Sequence, residues 1–89
     1  MEMIIHFTVL PDGMDLDGLK RNLDEVLEED GWLTGSGQGP EGGYVELELE
    51  DERTNPKHGI LAVKGYLQRA GFAPDTAIEL AGVPVGIYE

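Results

Sequence analysis

Eighty-nine residues hold one hydrophobic core, burying roughly 60–65% of the unfolded chain's surface, and read as a single domain over residues 1–89. Eighteen Asp and Glu against six Lys and Arg give a formal net charge of −12, which repels phosphate backbones and anionic lipid and argues against nucleic-acid and membrane partners. There is no cysteine, so disulfides, thiolate metal sites and thiol nucleophiles are excluded.

Met3 to Leu10 is apolar and β-branched enough for a first strand, and Pro11-Asp12-Gly13 closes it with turn chemistry. Alternation places Met3, Ile5, Phe7 and Val9 on one face, toward the helices, and Ile4, His6 and Thr8 on the other. Met1 to Phe7 lacks a basic region and a long apolar run, so neither a signal peptide nor a membrane span is expected, and the expected location is cytoplasmic.

Leu16, Leu19, Leu23, Val26 and Leu27 recur at helical spacing behind Asp15, a capping residue, and Gly31 is expected as the left-handed stop. Trp32-Leu33-Thr34 reads as a short strand. The following stretch from Gly35 to Gly43 reads as a loop, because so many glycines weaken any regular element. Tyr44 to Glu50 then alternates without error, with Val45, Leu47 and Leu49 on one side and Glu46, Glu48 and Glu50 on the other. That pattern marks an antiparallel sheet wetted on one face.

Asn55-Pro56 opens a second helix, carried by Ile60, Val63, Leu67 and Ala70 and ended by Gly71. Thr76 to Ala81 reads as a further strand, with Gly82-Val83-Pro84 turning the chain toward a short strand at Val85 to Tyr88. The order of elements predicts an α+β fold of the ferredoxin-like split βαβ type: a four-stranded antiparallel sheet in the order 4-1-3-2, with a possible extra C-terminal strand and both helices on one face.

The chemistry-bearing motifs are sparse. Gly37, Gly39 and Gly42 match G-x-G-x-x-G, but the stretch leads into a strand instead of a helix, and no Lys or Arg stands between Arg21 and Arg53 to meet a phosphate. Ser36 is the only serine, and its Gly35-Ser36-Gly37 setting lacks the strained turn that presents a hydrolase nucleophile. Asp12 to Gly18 resembles a calcium loop without its closing glutamate and is better read as helix-start chemistry. His6 is expected among glutamates on the open sheet face; with Glu46 or Glu48 it could form a metal or acid–base site, but a surface histidine in cross-strand contact is the preferred reading. His58 is expected to face solvent. Acidic residues also gather at Asp24, Glu25, Glu28, Glu29 and Asp30, where they oppose the helix dipole, and such a tolerated cost fits a surface kept acidic for a partner.

Gly31 to Gly39, Val45 to Asp51 and Leu67 to Thr76 together resemble a family of small bacterial proteins with no assigned activity, marked by a T-G-x-G-x-G loop, an alternating acidic strand and a G-x-P-x-G-T lead into the last strand. Asp75 stands where that pattern favours glycine, and Gln38 where it favours threonine. The resemblance implies a ferredoxin-like fold and brings no catalytic residues with it. Size and charge are also similar to those of immunity proteins that block basic toxins, an association by composition alone.

The sequence therefore points to a non-enzymatic binding module, immunity- or regulator-like, that engages a protein with a basic surface. No catalytic residue, metal site or cofactor is assigned. The candidate binding residues are His6, Gly35, Ser36, Gly37, Gln38, Gly39, Tyr44, Glu46, Glu48 and Glu50. The alternative is a small-ligand or metal-sensing domain that uses the open face or the Gly-rich stretch. A homodimer is also considered, through an apolar patch of Ile4, Trp32, Tyr44, Ile87 and Tyr88.

Overall fold

The computed structural model describes residues 1–52 and 55–88. Its elements run β1 (Glu2–Phe7), α1 (Leu16–Leu27), β2 (Gly31–Gly39), β3 (Gly42–Leu49), α2 (Pro56–Ala70), β4 (Ala77–Leu80) and β5 (Val83–Gly86). Period-two alternation builds the centre of the sheet. Met3, Ile5 and Phe7 of β1 and Val45, Leu47 and Leu49 of β3 are all buried, and the residues between them are not. In the antiparallel register Met3 lies opposite Leu47 and Ile5 opposite Val45, so the two rows face the same side. The strands form one five-stranded antiparallel sheet in the order β2-β3-β1-β4-β5.

Both helices cover that apolar side. Asp15 caps α1 by accepting from the Gly18 backbone N–H at 2.7 Å, and Leu19, Leu23 and Leu27 turn inward. Asn55 caps α2, Pro56 takes the first helical turn, and Val63 and Leu67 complete the core with Phe72, Ile78 and Ile87. Each such side chain contributes roughly 1.5–3 kcal/mol on full burial. Asn22 of α1 donates to the Tyr66 hydroxyl of α2 at 2.9 Å and fixes the helices against each other.

Several local expectations are corrected. The glycine-rich stretch is not a loop: β2 runs through it to Gly39, and only Pro40 and Glu41 separate it from β3. The strongly alternating β3 supplies the hydrogen-bonding template, and the β3 side chains fill the space above two of the glycines. A bulge between Leu33 and Gly35 then adds a residue and flips the faces, so that Gly35 and Gly37 lie opposite Glu46 and Tyr44 on the open side. Gly31 is not a left-handed stop. It opens β2 where a Cβ would fall 2.6 Å from the Glu48 carbonyl oxygen, while α1 is closed by Glu28 at φ 50°.

β1 stops at Phe7, so Val9 lies beyond the sheet and is exposed rather than inward. At the C-terminus the turn is Ala81-Gly82, at φ 50° and 86°, the signature of a two-residue hairpin. Val83 and Pro84 therefore belong to β5, at the sheet edge where proline is tolerated. Ile87 is buried in the core and cannot join a surface patch, and the Tyr88 hydroxyl donates to the Phe72 carbonyl at 2.7 Å.

Two substitutions test this packing. Gly42 holds φ 130°, and a Cβ there would run into the Phe7 carbonyl oxygen, so Gly42→Ala should lower the unfolding free energy by about 2 kcal/mol or more in urea titration. Among the described residues the buried Thr76 hydroxyl has no hydrogen-bond partner; Thr76→Val should leave stability unchanged or raise it by up to about 1 kcal/mol, and a marked loss would reveal a partner for that oxygen.

Candidate functional site: the open face of the sheet

Opposite the helices, β1 contributes Glu2, Ile4 and His6, β3 contributes Tyr44, Glu46 and Glu48, β4 contributes Ala77 and Glu79, and β2 contributes Trp32, Gly35 and Gly37. The face is acidic because the outward alternation phase of β3 holds Glu46 and Glu48, while β1 and β4 add Glu2 and Glu79. Among the described residues every Lys and Arg lies on a helix, Lys20 and Arg21 on α1 and Lys57, Lys64 and Arg69 on α2. The sheet face thus holds Glu2, Glu46, Glu48 and Glu79 with no described Lys or Arg among them, whereas α1 mixes Lys20 and Arg21 with Asp17, Asp24 and Glu25.

His6 is half exposed, and its Nε2 lies 3.5 Å from Glu79 Oε1. The expected partners were Glu46 or Glu48 on β3. Ile4 lies opposite both Glu46 and Glu79, so His6 is diagonal to each, and the ring is turned to the β4 side. Glu46 reaches the other way, with Oε2 3.3 Å from where a Cβ on Gly35 would stand. Tyr44 likewise covers Gly37, its Cε1 2.7 Å from the missing Cβ. Glu48 is held by the terminal ammonium of Met1, which donates to Glu48 Oε1 at 3.1 Å, to the Leu49 carbonyl at 3.0 Å and to Asp51 Oδ2 at 3.2 Å. The hydrogen bond to Glu48 raises that ammonium above its ordinary value of 8.0, desolvation opposes the rise, and Asp51 adds to it. Glu50, past the end of β3, accepts from the Glu52 backbone N–H at 3.0 Å.

The candidate residues thus divide into two groups. His6, Gly35, Gly37, Tyr44, Glu46 and Glu48 share the open face, whereas Ser36 and Gln38 pair with Val45 and Gly43 in the opposite alternation phase, and Gly39 closes the hairpin. Ser36 and His6 consequently stand on opposite sides of the sheet and form no nucleophile–base pair. Among the described residues no group of three or more His, Asp or Glu is placed to hold a metal ion, and no helix is long and apolar enough to cross a membrane. His58 is exposed at the start of α2.

A cleft of about 500 Å³ opens where β1 ends against the hairpin, lined by His6, Thr8, Glu41, Tyr44 and Asp75 among others. Thr8 Oγ1 donates to Asp75 Oδ2 at 2.8 Å and ties the two walls together. A lining that combines an aromatic ring with two carboxylates suits a cationic group. Thr8, Glu41, Asp75 and Glu79 are absent from the sequence-based candidates. A signal for Glu79 exists, since its strand is expected beside β1, but Asp75 and Glu41 lie in turns whose direction no alternation pattern fixes.

Comparison with protein-family models, curated proteins and solved structures returns no match.

The ammonium of Met1 yields a pH test. Because its folded value is raised above 8.0, its contribution is fully present below pH 8 and fades as pH rises through the folded value. N-terminal acetylation should therefore lower the melting temperature at pH 7 and flatten its decline between pH 8 and the folded value; identical melting curves for the two forms would contradict the contact.

Proposed function

We propose that this protein is a non-enzymatic, cytoplasmic binding module of immunity- or regulator-like type, which receives the basic surface of a protein partner on its open sheet face. The single observation carrying this reading is the segregation of charge: Glu2, Glu46, Glu48 and Glu79 on the sheet face, and every described Lys and Arg on the helices. Trp32 and Tyr44 remain 49% and 38% exposed among these carboxylates, and aromatic residues of this kind are enriched where proteins dock. The negative field steers a basic partner from a distance, and rim carboxylates act chiefly on the association rate.

The frame proposed for this module is the ferredoxin-like split βαβ arrangement lengthened by a C-terminal hairpin, a reading supported by the run β2-β3-β1-β4 within the sheet. The resemblance to small bacterial proteins belongs to the same proposal. Self-association has less support, because two chains of net charge −12 repel and Ile87 is withdrawn into the core.

A second reading rests on the cleft. Its volume of about 500 Å³ falls within the usual range of small-molecule sites, and its acid-lined wall favours an amine over an anion.

The test is association with a Lys- and Arg-rich peptide, followed by stopped flow at increasing NaCl. The on-rate should fall about tenfold or more as the Debye length shortens from roughly 10 to 3 Å, and Glu46→Gln with Glu79→Gln should lower it further at low salt. An on-rate indifferent to salt and to both substitutions would contradict the proposal.

A further inference from the structure

The two edges of the sheet are built differently. β5 has four residues and carries Pro84, a short edge with one donor removed. β2 has nine residues and contains no proline, lysine or arginine, and among the described residues β3 is its only strand neighbour. Alternate residues of such a strand turn N–H and C=O groups outward, a template for one more strand. The bulge at Leu33/Gly35 interrupts it once, and from Gly35 to Gly39 the register is regular.

What lies above this run selects the occupant. Gly35 and Gly37 have no side chains, so their places on the open face are taken by the Glu46 carboxylate and the Tyr44 ring leaning in from β3. Trp32 stands on the same strand before the bulge, half exposed. A strand added beyond β2 would project every second side chain over this row. A long cationic side chain opposite Gly35 would cross the glycine without obstruction and meet Glu46. One opposite Gly37 would meet Tyr44, whose hydroxyl oxygen lies 3.1 Å from the missing Cβ and can accept from an ammonium or guanidinium. Basic residues of β2's own could not compete, since β2 has none.

We infer that the β2 edge is a strand-addition site, taking an extended partner segment with Lys or Arg at alternate positions, backbone paired along Gly35–Gly39 and cationic side chains laid over the glycines onto Glu46 and Tyr44. This rests on the reading of the acidic face as a docking surface and specifies its mode: main-chain pairing supplies register and affinity, and the glycine gaps supply selectivity for basic over acidic segments. A second copy of this chain fits poorly, because it would bring another Glu-rich face of net charge −12 and a β2 without cations.

The experiment uses the whole chain and two probes: a nine-residue peptide alternating Lys and Thr, and the same peptide with every backbone nitrogen methylated. Trp32, the only tryptophan, reports binding by its emission, and amide hydrogen exchange reports pairing. The unmodified peptide should shift Trp32 emission and slow exchange at alternate amides of Gly35–Gly39 about tenfold, the methylated peptide should bind roughly tenfold or more weakly, and Glu46→Gln should weaken the unmodified peptide. Equal binding of both peptides without slowed exchange on β2 would overturn strand addition while leaving face docking intact. Failure of both peptides to bind at low salt would overturn the docking reading itself. Protection of Gly35–Gly39 that rises with protein concentration, together with a dimer in sedimentation, would overturn the choice of occupant.

Discussion

The pairing of β1 with β3 at the centre of the sheet sets everything else in this molecule. Six apolar side chains, Met3, Ile5 and Phe7 with Val45, Leu47 and Leu49, point one way and are sealed beneath α1 and α2. The same alternation points His6, Glu46 and Glu48 the other way, into water. A slip of one residue would exchange the faces, burying glutamates at a cost of several kcal/mol each and exposing the oily row. The register is therefore held from both sides, by what must be dry and by what must stay wet. The acidic face is a consequence of that constraint as much as a surface feature.

Charge distribution follows from the same division. With the helices assigned to the apolar side, their outer surfaces carry the described lysines and arginines, and the sheet's open side is left to carboxylates. Four of the eighteen acidic residues, Glu2, Glu46, Glu48 and Glu79, stand on that open face without a described Lys or Arg beside them, which gives a cationic partner a locally negative surface to approach. The ammonium of Met1 is paired with Glu48 and Asp51 and offsets one unit of negative charge at that end of the sheet.

The legible and illegible parts of the sequence separate along physical lines. Tyr44 to Glu50, the stripe of leucines in α1 and the Asn55-Pro56 start of α2 were readable because periodicity and capping act locally. The glycine-rich stretch misled because glycine's backbone entropy predicts a loop, while the decision is made by a strand partner that already offers its hydrogen bonds and by Tyr44 and Glu46, which fill the missing side-chain volume. A single added residue at the bulge then reversed which glycines face the site, and no alternation count across Leu33 and Gly35 detects that. Within the candidate site, His6, Tyr44, Glu46 and Glu48 came from alternation; Glu41 and Asp75 came only from three-dimensional closure of the cleft.

The acidic cluster from Asp24 to Asp30 is the rival location for a basic partner, and amide chemical-shift mapping separates it from the sheet directly. During titration of the isotope-labelled chain with a Lys- and Arg-rich peptide, the account predicts that perturbed amides concentrate on β1, β2 and β3 with Trp32, Tyr44 and Glu46 among the largest. Perturbations confined to the end of α1, with the sheet unmoved, would contradict it.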